Sequence, residues 1–329
     1  MQTDARSARK LVRDAAEKLA FAGVPEPRAS AEVLLAELLG IRRGELSARE
    51  EPLTDEEAIV YWAWISRRLK REPVQRILGY SYFRNLWLEL DEHTLVPRPE
   101  TESVVDVVLK ILSSRDRSCR VLELGTGSGA IAISIVQERP YCDVYATDNS
   151  EGALRVARRN AARTGTKVRF YKVDLASGLS PLLGSIEVLV SNPPYVRSVD
   201  IPKLVPEVRG WDPHAALDGG PDGLNFYRRI FEEVPPLLAK GADVVLEVGD
   251  GQAEAVLELG RRAGYEPLGA YADLTGGPRT VRLCWAGVEV RLREGGREVV
   301  AGRKGGARTN GDGRWARGRR EWALPTVRD

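Results

Sequence analysis

In the first seventy-five residues apolar side chains recur at helical spacing. Leu11, Ala15 and Leu19 share one face at i, i+4 and i+8, and Ala31, Leu34, Leu35, Leu38 and Leu39 form a second stripe stopped by Gly40. Thr54 and Glu57 have the spacing of a capping box, which predicts a third helix with Trp62, Ile65 and Leu69 on one side and Pro73 just beyond its end. No strand pattern interrupts this stretch, so residues 1–75 are expected to form a small helical domain. The character changes at residues 76–96, where Tyr80, Tyr82, Phe83, Leu86, Trp87, Leu88 and Leu90 crowd around polar turns. A short hairpin linking two domains is predicted there. From Arg120 the rhythm becomes strand, loop, helix: strands at 120–124, 143–147, 167–171, 186–191, 242–248 and 280–285, helices at 128–138, 151–163, 224–239 and 252–263. Such alternation implies an α/β domain over residues 97–286, a mostly parallel sheet covered by helices on both faces. On these sheets ligands bind at the carboxyl ends of the strands. Residues 287–329 are rich in Gly and Arg, show no apolar period, and are expected to be a disordered tail.

Composition narrows the function classes. Hydrophobic residues make up 43% of 329, enough for a sizeable core. The net charge is only +2, so no global basic field argues for nucleic acid. The excess of positive charge is confined to Gly287–Asp329, with eleven basic and six acidic residues. The three cysteines, Cys119, Cys142 and Cys284, form no C-x-x-C pair, and the two histidines, His93 and His214, have no metal-ligand spacing. Neither a metal site nor a disulfide framework is expected, and neither histidine lies within a motif. No apolar run approaches the roughly 18 residues needed to span a membrane. Asp4 and Asp14 stand among the basic residues of an N-terminus with no apolar h-region, so no signal peptide is expected and the cytoplasm is the expected location.

Two stretches carry chemistry. Val121-Leu122-Glu123-Leu124-Gly125-Thr126-Gly127-Ser128-Gly129-Ala130 reads as a buried strand, a glycine turn and the start of an apolar helix. Without Cβ atoms at Gly125, Gly127 and Gly129 a ligand can approach the backbone closely, and the helix N-terminus favours a carboxylate there. The next strand ends at Asp148, nineteen residues after Gly129, where an acid can accept both hydroxyls of a ribose. With Ala130 in last place this pair also satisfies a dinucleotide fingerprint, so on these residues alone a nicotinamide or flavin enzyme stays open, as does a glycine turn without a ligand.

The second stretch is Asn192-Pro193-Pro194-Tyr195, which ends the fourth predicted strand. An amide nitrogen is a poor nucleophile because its lone pair is delocalised into the carbonyl. Methylating it requires holding that nitrogen in line with the methyl donor and drawing its hydrogens aside. The Asn192 side-chain oxygen can accept one N–H, and a backbone carbonyl held outward by the two prolines can accept the other. Pro193 and Pro194 fix φ and lack competing N–H groups. Tyr195 offers a ring to pack against a planar amide or base, and no strong general base is required. An Asn-capped proline turn is common by itself. At a strand end about sixty residues after such a glycine loop it is a specific signal.

With these motifs the chain resembles the HemK/PrmC family of protein-glutamine methyltransferases, over roughly residues 5–285. The resemblance includes Pro73-Val74-Gln75-Arg76-Ile77-Leu78-Gly79, Leu95-Val96-Pro97-Arg98-Pro99-Glu100-Thr101-Glu102, Ala216-Leu217-Asp218-Gly219-Gly220-Pro221-Asp222-Gly223-Leu224 and Leu246-Glu247-Val248-Gly249. It implies a Rossmann-like class I S-adenosylmethionine-dependent methyltransferase domain behind a helical domain that binds the protein substrate. The implied reaction transfers a methyl group from S-adenosyl-L-methionine to the side-chain amide nitrogen (N5) of the glutamine in the Gly-Gly-Gln loop of a peptide chain release factor. Gly125, Thr126, Gly127, Ser128, Gly129 and Asp148 would bind the cofactor, Asp174 and Leu175 would lie by the adenine, and Asn192 to Tyr195 would hold the glutamine, with Asn192 also near the cofactor. Leu175 stands where some members carry an aromatic residue, and the basic tail lies outside the family pattern. The implied partner is the release factor, with no direct nucleic acid or membrane, and the enzyme is expected to be a monomer.

Other readings use the same residues. Glutamine methylation of a ribosomal protein would present the same amide. Adenine-amino methylation of DNA would want a basic recognition domain, whereas the N-terminal helices are mixed in charge. A non-catalytic release-factor or ribosome binding module would show degraded glycines or a lost Asn, and both are intact. Pro97 to Glu102 either walls the cofactor pocket or is a loop and helix start with acids in the first turn.

Overall fold

The computed structural model describes residues 6–115, 117–179, 185–273, 276–287, 291–294 and 297–300. The N-terminal region is helical: α1 Ala8–Phe21, α2 Pro27–Leu39, α3 Asp55–Leu69 and the short α4 Val74–Leu78. The capping box forms, with the Glu57 amide donating to Thr54 Oγ1 at 3.1 Å and the Thr54 amide to Glu57 Oε2 at 2.8 Å. Gly40 stops α2 in the left-handed conformation at φ 64°. Leu11, Ala15, Leu19, Leu34, Leu35 and Ile65 close a common core together with Tyr61, whose hydroxyl donates to the Ala31 carbonyl at 3.1 Å. Each fully buried Leu or Ile contributes about 1.5–3 kcal/mol to holding these helices together.

The antiparallel hairpin β1 Tyr80–Phe83 and β2 Leu86–Glu89 follows. Tyr80 stacks on Trp87 at 4.8 Å, and the Arg163 guanidinium lies 3.7 Å over the Trp87 ring. Next come α5 Glu102–Ser113, β3 Arg120–Leu124, α6 Ala130–Glu138, β4 Asp143–Asp148, α7 Glu151–Thr164, β5 Val168–Lys172 and β6 Ile186–Ser191. The chain continues through α8 Pro206–Arg209, α9 Asn225–Glu233, β7 Leu238–Glu247, α10 Ala253–Arg262, β8 Tyr265–Ala272 and β9 Pro278–Trp285. Seven of these strands form one sheet in the order β5-β4-β3-β6-β7-β9-β8. Pairs from β5 to β7 are parallel, and β9 is antiparallel to both β7 and β8. The core is packed by Val104, Val105, Val108 and Ile111 of α5, Ile131 and Ile135 of α6, and Val121, Val144, Val188 and Val245 of the sheet.

Three differences from the sequence reading have physical causes. The helix predicted over 224–239 ends at Glu233, because Pro235 and Pro236 lack the amides that would continue it; a single 3₁₀ turn leads into β7. For α5 the sequence marks only a possible helix start, since its run of Val residues has low helix propensity; burial of Val104, Val105, Val107 and Val108 overrides this. Edge strand β8 carries no strand signal in the sequence because Pro267 and Gly269 break its alternation, and the register shifts at that point.

The helical region is tied to the sheet region by buried ion pairs. Glu207 of α8 accepts Arg71 at 2.6 and 2.7 Å and Arg68 at 2.9 Å. Asp212, whose side chain has no exposed surface, pairs with Arg76 of α4 at 3.3 Å and with Arg98. Within the stretch expected to be a disordered tail, β10 Arg291–Glu294 and β11 Arg297–Val300 pair as an antiparallel ribbon, a local arrangement that the search for apolar periods misses. Residues 301–329 of that expected tail lie outside the described residues.

Candidate active site

The site follows from strand order. Chain order runs outward from β3 through β4 to β5 on one side and from β6 to β7 on the other, so a crevice opens between the carboxyl ends of β3 and β6. Leu124 is the register partner of Ser191, and Ser191 Oγ donates to the Leu124 carbonyl at 2.8 Å. The next residues are Gly125 on one side and Asn192 on the other, so the two motifs stand side by side. They border a cavity of about 260 Å³ walled also by Asp148, Leu175, Pro97, Arg98 and Thr101. Of the residues singled out in the sequence, Gly125, Thr126, Gly127, Ser128, Asp148, Asp174, Leu175, Asn192, Pro193 and Pro194 line this cavity. Gly129 and Tyr195 do not.

The glycine side is built from backbone. Gly125 and Gly127 have φ of +72° and +55°, and a Cβ at either would meet nothing within 4 Å, so both present bare backbone to open space. Gly129, at φ +86°, instead packs inward, where a Cβ would lie 2.8 Å from Ile133 Cδ1. Asp148 is held by the Gly127 and Ser150 amides, each at 2.9 Å. Burial raises its pKa, and the backbone donors oppose that shift. With backbone donors from Gly127, Asn149 and Ser150, the two carboxylate oxygens still keep capacity for ligand hydroxyls. Beneath the loop, Glu123 is fully buried and accepts Thr126 Oγ1 at 2.6 Å and the Ala132 amide at 3.1 Å. Burial pushes its pKa up to about 8. Leu175 occupies the left-handed region at φ +50°, and its carbonyl accepts Thr147 Oγ1 at 3.1 Å. The exposed Asp174 carboxylate pairs with Arg229 at 3.0 Å. This open glycine cradle beside an acid with spare acceptor capacity fits the amino-acid and ribose parts of S-adenosylmethionine.

The Asn-Pro-Pro-Tyr side is built from side chains far apart in sequence. Asn192 Nδ2 donates to Thr101 Oγ1 at 3.1 Å, which leaves Oδ1 as its available acceptor. Tyr195 does not line the cavity; its hydroxyl donates to Glu247 Oε1 at 3.3 Å and its carbonyl accepts Gln252 Nε2 at 3.0 Å. Burial and the Glu247 charge raise the Tyr195 pKa well above its ordinary value. The Asp218-Gly219-Gly220 segment wraps the turn, with the Val196 amide donating to Leu217 and the Gly219 amide to Val196 at 2.9 and 2.8 Å. A Cβ at Gly219 would lie 2.8 Å from Tyr195 Cα, so only glycine permits this approach.

Three wall or support residues, Glu247, Asp212 and His93, have no role in the sequence pattern, and Thr101 enters it only within the stretch Pro97 to Glu102, of which Pro97, Arg98 and Thr101 do wall the cavity. Thr101 and Glu247 sat in noted stretches, but their meeting with Asn192 and Tyr195 is long-range. Asp212 lies between stretches, and its only local signal is a charged residue in an apolar context, Trp211-Asp212-Pro213. His93 lines the mouth with its ring packed on Gly152, whose lack of a Cβ makes room for it. Among the described residues no cluster of His, Cys, Asp or Glu could hold a metal, and no helix is long and apolar enough to cross a membrane.

Residues 10–79 match the PrmC N-terminal domain, and residues 101–207 match the methyltransferase small domain. The chain is 41% identical over 273 residues to the release factor glutamine methyltransferase of Rhodospirillum rubrum, covering 82% of each chain. It is 40% identical over 271 residues to the release factor glutamine methyltransferase of Streptomyces coelicolor, covering 82% of this chain and 94% of that one. A solved structure described as a release factor-specific protein-(glutamine-N5) methyltransferase from Alicyclobacillus acidocaldarius is 32% identical, with a TM-score of 0.36 and coverage of 60% of this chain and 98% of that chain. Identity at this level, sustained over 82% of the sequence and spanning both the helical region and the glycine and Asn-Pro-Pro-Tyr motifs, places the chain in the release factor glutamine methyltransferase (HemK/PrmC) family of S-adenosylmethionine-dependent methyltransferases.

Proposed function

We propose that this enzyme methylates the side-chain amide nitrogen (N5) of the glutamine in the Gly-Gly-Gln motif of a peptide chain release factor. The observation that carries the proposal is the pairing of Leu124 with Ser191, which sets a glycine cradle and an amide acceptor, Asn192 Oδ1, across one small cavity. S-adenosylmethionine, when bound, supplies a methyl group made electrophilic by the adjacent sulfonium. Gly125 to Ser128 receive its amino-acid end, with Gly129 closing the loop behind them, Asp148 accepts its ribose hydroxyls, and Asp174 and Leu175 flank its adenine. Asn192 Oδ1 accepts one hydrogen of the glutamine amide, and a carbonyl of the double proline accepts the other. The nitrogen lone pair is thereby turned toward the methyl group, a positioning effect worth several kcal/mol of barrier. Charge developing on the nitrogen is met by the same two acceptors. Methyl transfer leaves the amide nitrogen positively charged and strongly acidic, so the proton it then loses passes to water without a strong base. Residues 1–75 bind the release factor and take no part in the chemistry.

Purified enzyme is incubated with isotopically labelled S-adenosylmethionine and a purified release factor carrying Gly-Gly-Gln, and the peptides are mapped by mass spectrometry. One methyl group on that glutamine is expected. Absence of label there, with label on a ribosomal protein in a cell extract, would reassign the substrate.

A further inference from the structure

Beneath the Asn-Pro-Pro-Tyr turn lies a chain of side chains that the mechanism above does not use. Glu247 ends β7, one residue beyond the Leu246–Ser191 register pair, and is only 1% exposed. Its Oε1 accepts the Tyr195 hydroxyl at 3.3 Å, while its buried Oε2 has no hydrogen-bond partner. The Thr101 hydroxyl faces this carboxyl and favours its ionised form. The same hydroxyl accepts Asn192 Nδ2 at 3.1 Å. We propose that Glu247 is a positioning residue: acting through the Thr101 hydroxyl, it sets which end of the Asn192 side-chain amide is presented to the substrate. The relay matters for catalysis only if Asn192 meets a glutamine amide as proposed above.

The two ends of a carboxamide are nearly equal in size, so packing does not choose between them; hydrogen bonding does. A threonine hydroxyl has one proton, and an ionised carboxylate only accepts. With the Thr101 proton directed at Glu247, only lone pairs are left for Asn192, and only Nδ2 can meet them. Oδ1 is then the end left for the substrate. If the carboxyl is protonated, or replaced by a group that donates to Thr101, the Thr101 proton is released toward Asn192. Oδ1 is drawn to it, and Nδ2 is set against the N–H of the glutamine, donor facing donor.

The groups around Glu247 set where this happens. Burial raises its pKa and the nearby Glu100 charge adds to that; Thr101, Arg279 and Tyr195 oppose it. Arg279, on β9, is itself held by the Val248 carbonyl at 3.3 Å and Asp273 at 3.4 Å. Tyr227 donates to the Glu247 backbone carbonyl at 2.9 Å, and Thr280, opposite Glu247 in register, pairs with Ser103 at 3.0 Å. Both are engaged elsewhere than on the carboxyl. The balance leaves the Glu247 pKa raised to about 7. Ionisation grows as pH rises through that value, so turnover rises with it.

The test compares Glu247→Gln, Thr101→Val, Thr101→Ser and the double variant Thr101→Val/Glu247→Gln for kcat, KM and cofactor affinity across neutral pH. Above neutrality Glu247→Gln is expected to lower kcat about 10- to 100-fold, the worth of one charged hydrogen bond, with cofactor Kd unchanged. Its kcat should lack the rise through about pH 7 expected of the native enzyme. Thr101→Val should show a similar loss, the double variant no further loss, and Thr101→Ser should recover most of what Thr101→Val loses. A second readout needs no substrate: the side-chain amide resonances of Asn192 in nitrogen-labelled enzyme should shift with pH through the same range and stay fixed in Glu247→Gln. A native pH profile in Glu247→Gln, losses that multiply in the double variant, or an Asn192 resonance indifferent to pH would each overturn the relay. An Asn192 resonance that does respond supports the relay even where no release factor is methylated, a result that would overturn the proposed function instead.

Discussion

The two sides of the cavity solve the same problem by opposite means. On the glycine side, the loop, its buried support Glu123 and the acid Asp148 all fall within residues 123–148, and the bonds that fix them are mostly to backbone amides. On the Asn-Pro-Pro-Tyr side, the supports of Asn192 and Tyr195 come from residues 91 and 52 positions away, and both bonds join side chains. Each side rests on one buried glutamate. Glu123 takes both its bonds on Oε2 from residues within nine positions, whereas Glu247 is met by a tyrosine 52 positions away and its Oε2 has no partner. A site made of local backbone tolerates change at its neighbours; a site made of distant side chains passes any disturbance along its chain.

The comparison can be broken first at Asn192. Asn192→Ala should cut turnover at least ~10²-fold in a single-turnover assay with saturating cofactor, since one polar contact at a reacting centre is commonly worth that much. Any loss of cofactor affinity should be smaller, and Asn192→Asp, which keeps an acceptor oxygen, should fall between the two. Near-native turnover by Asn192→Ala would reduce the tetrapeptide to a structural turn.

A pair of glycines sharpens the contrast. In Gly219→Ala the new Cβ would stand 2.8 Å from Tyr195 Cα and 2.9 Å from the Pro194 carbonyl, both backbone atoms that cannot swing aside. A displaced turn should lower turnover about 10²-fold while calorimetry finds the cofactor affinity nearly native. Gly129→Ala, whose Cβ meets the movable end of Ile133, should instead weaken cofactor binding, with a strain of about 1–2 kcal/mol from its left-handed backbone. Identical profiles for the two variants would erase the distinction between the halves.

Asp148→Ala should weaken cofactor binding roughly 10- to 100-fold, as expected for losing a hydrogen bond to a charged acceptor. Unchanged affinity in calorimetry would remove Asp148 from the site.

The smallest effect concerns stability. Glu123 titrates at about 8 in the fold against a model-peptide value of 4.5, so the folded state binds the extra proton between those limits. Its contribution therefore falls as pH rises through that window. Glu123→Gln should flatten the decline of the melting temperature over the window, and a slope equal to that of the native protein would show that Glu123 does not set it.

What was legible in the sequence follows the same division. Gly125 to Gly129, Asp148 and the parallel strands announce themselves because each is a local pattern: glycines at a strand end, an acid at the next, apolar runs of strand length. The Thr54 and Glu57 capping box was readable for the same reason. Asn192 could be found, but the atom that orients it could not, because Thr101 reaches it only after the 3₁₀ turn at Pro99–Thr101 packs beside β6. The partner of the Tyr195 hydroxyl, Glu247, becomes visible only once β7 lies next to β6. The pairing of Asp212 is not legible because its two arginines come from different regions of the chain.

That last carboxylate limits how the enzyme can be taken apart and recombined. Arg76 belongs to the helical region and Arg98 to the cavity wall, and both converge on a carboxylate with no exposed surface. Removing one partner of such a cluster costs about 3–5 kcal/mol, because the remaining charge is stranded away from water. Helical regions exchanged between relatives would thus have to carry positions 76, 98 and 212 as a single inherited unit. The boundary at which this protein can be cut and rejoined is set by such charges, together with Glu207 and its partners Arg68 and Arg71, rather than by a linker.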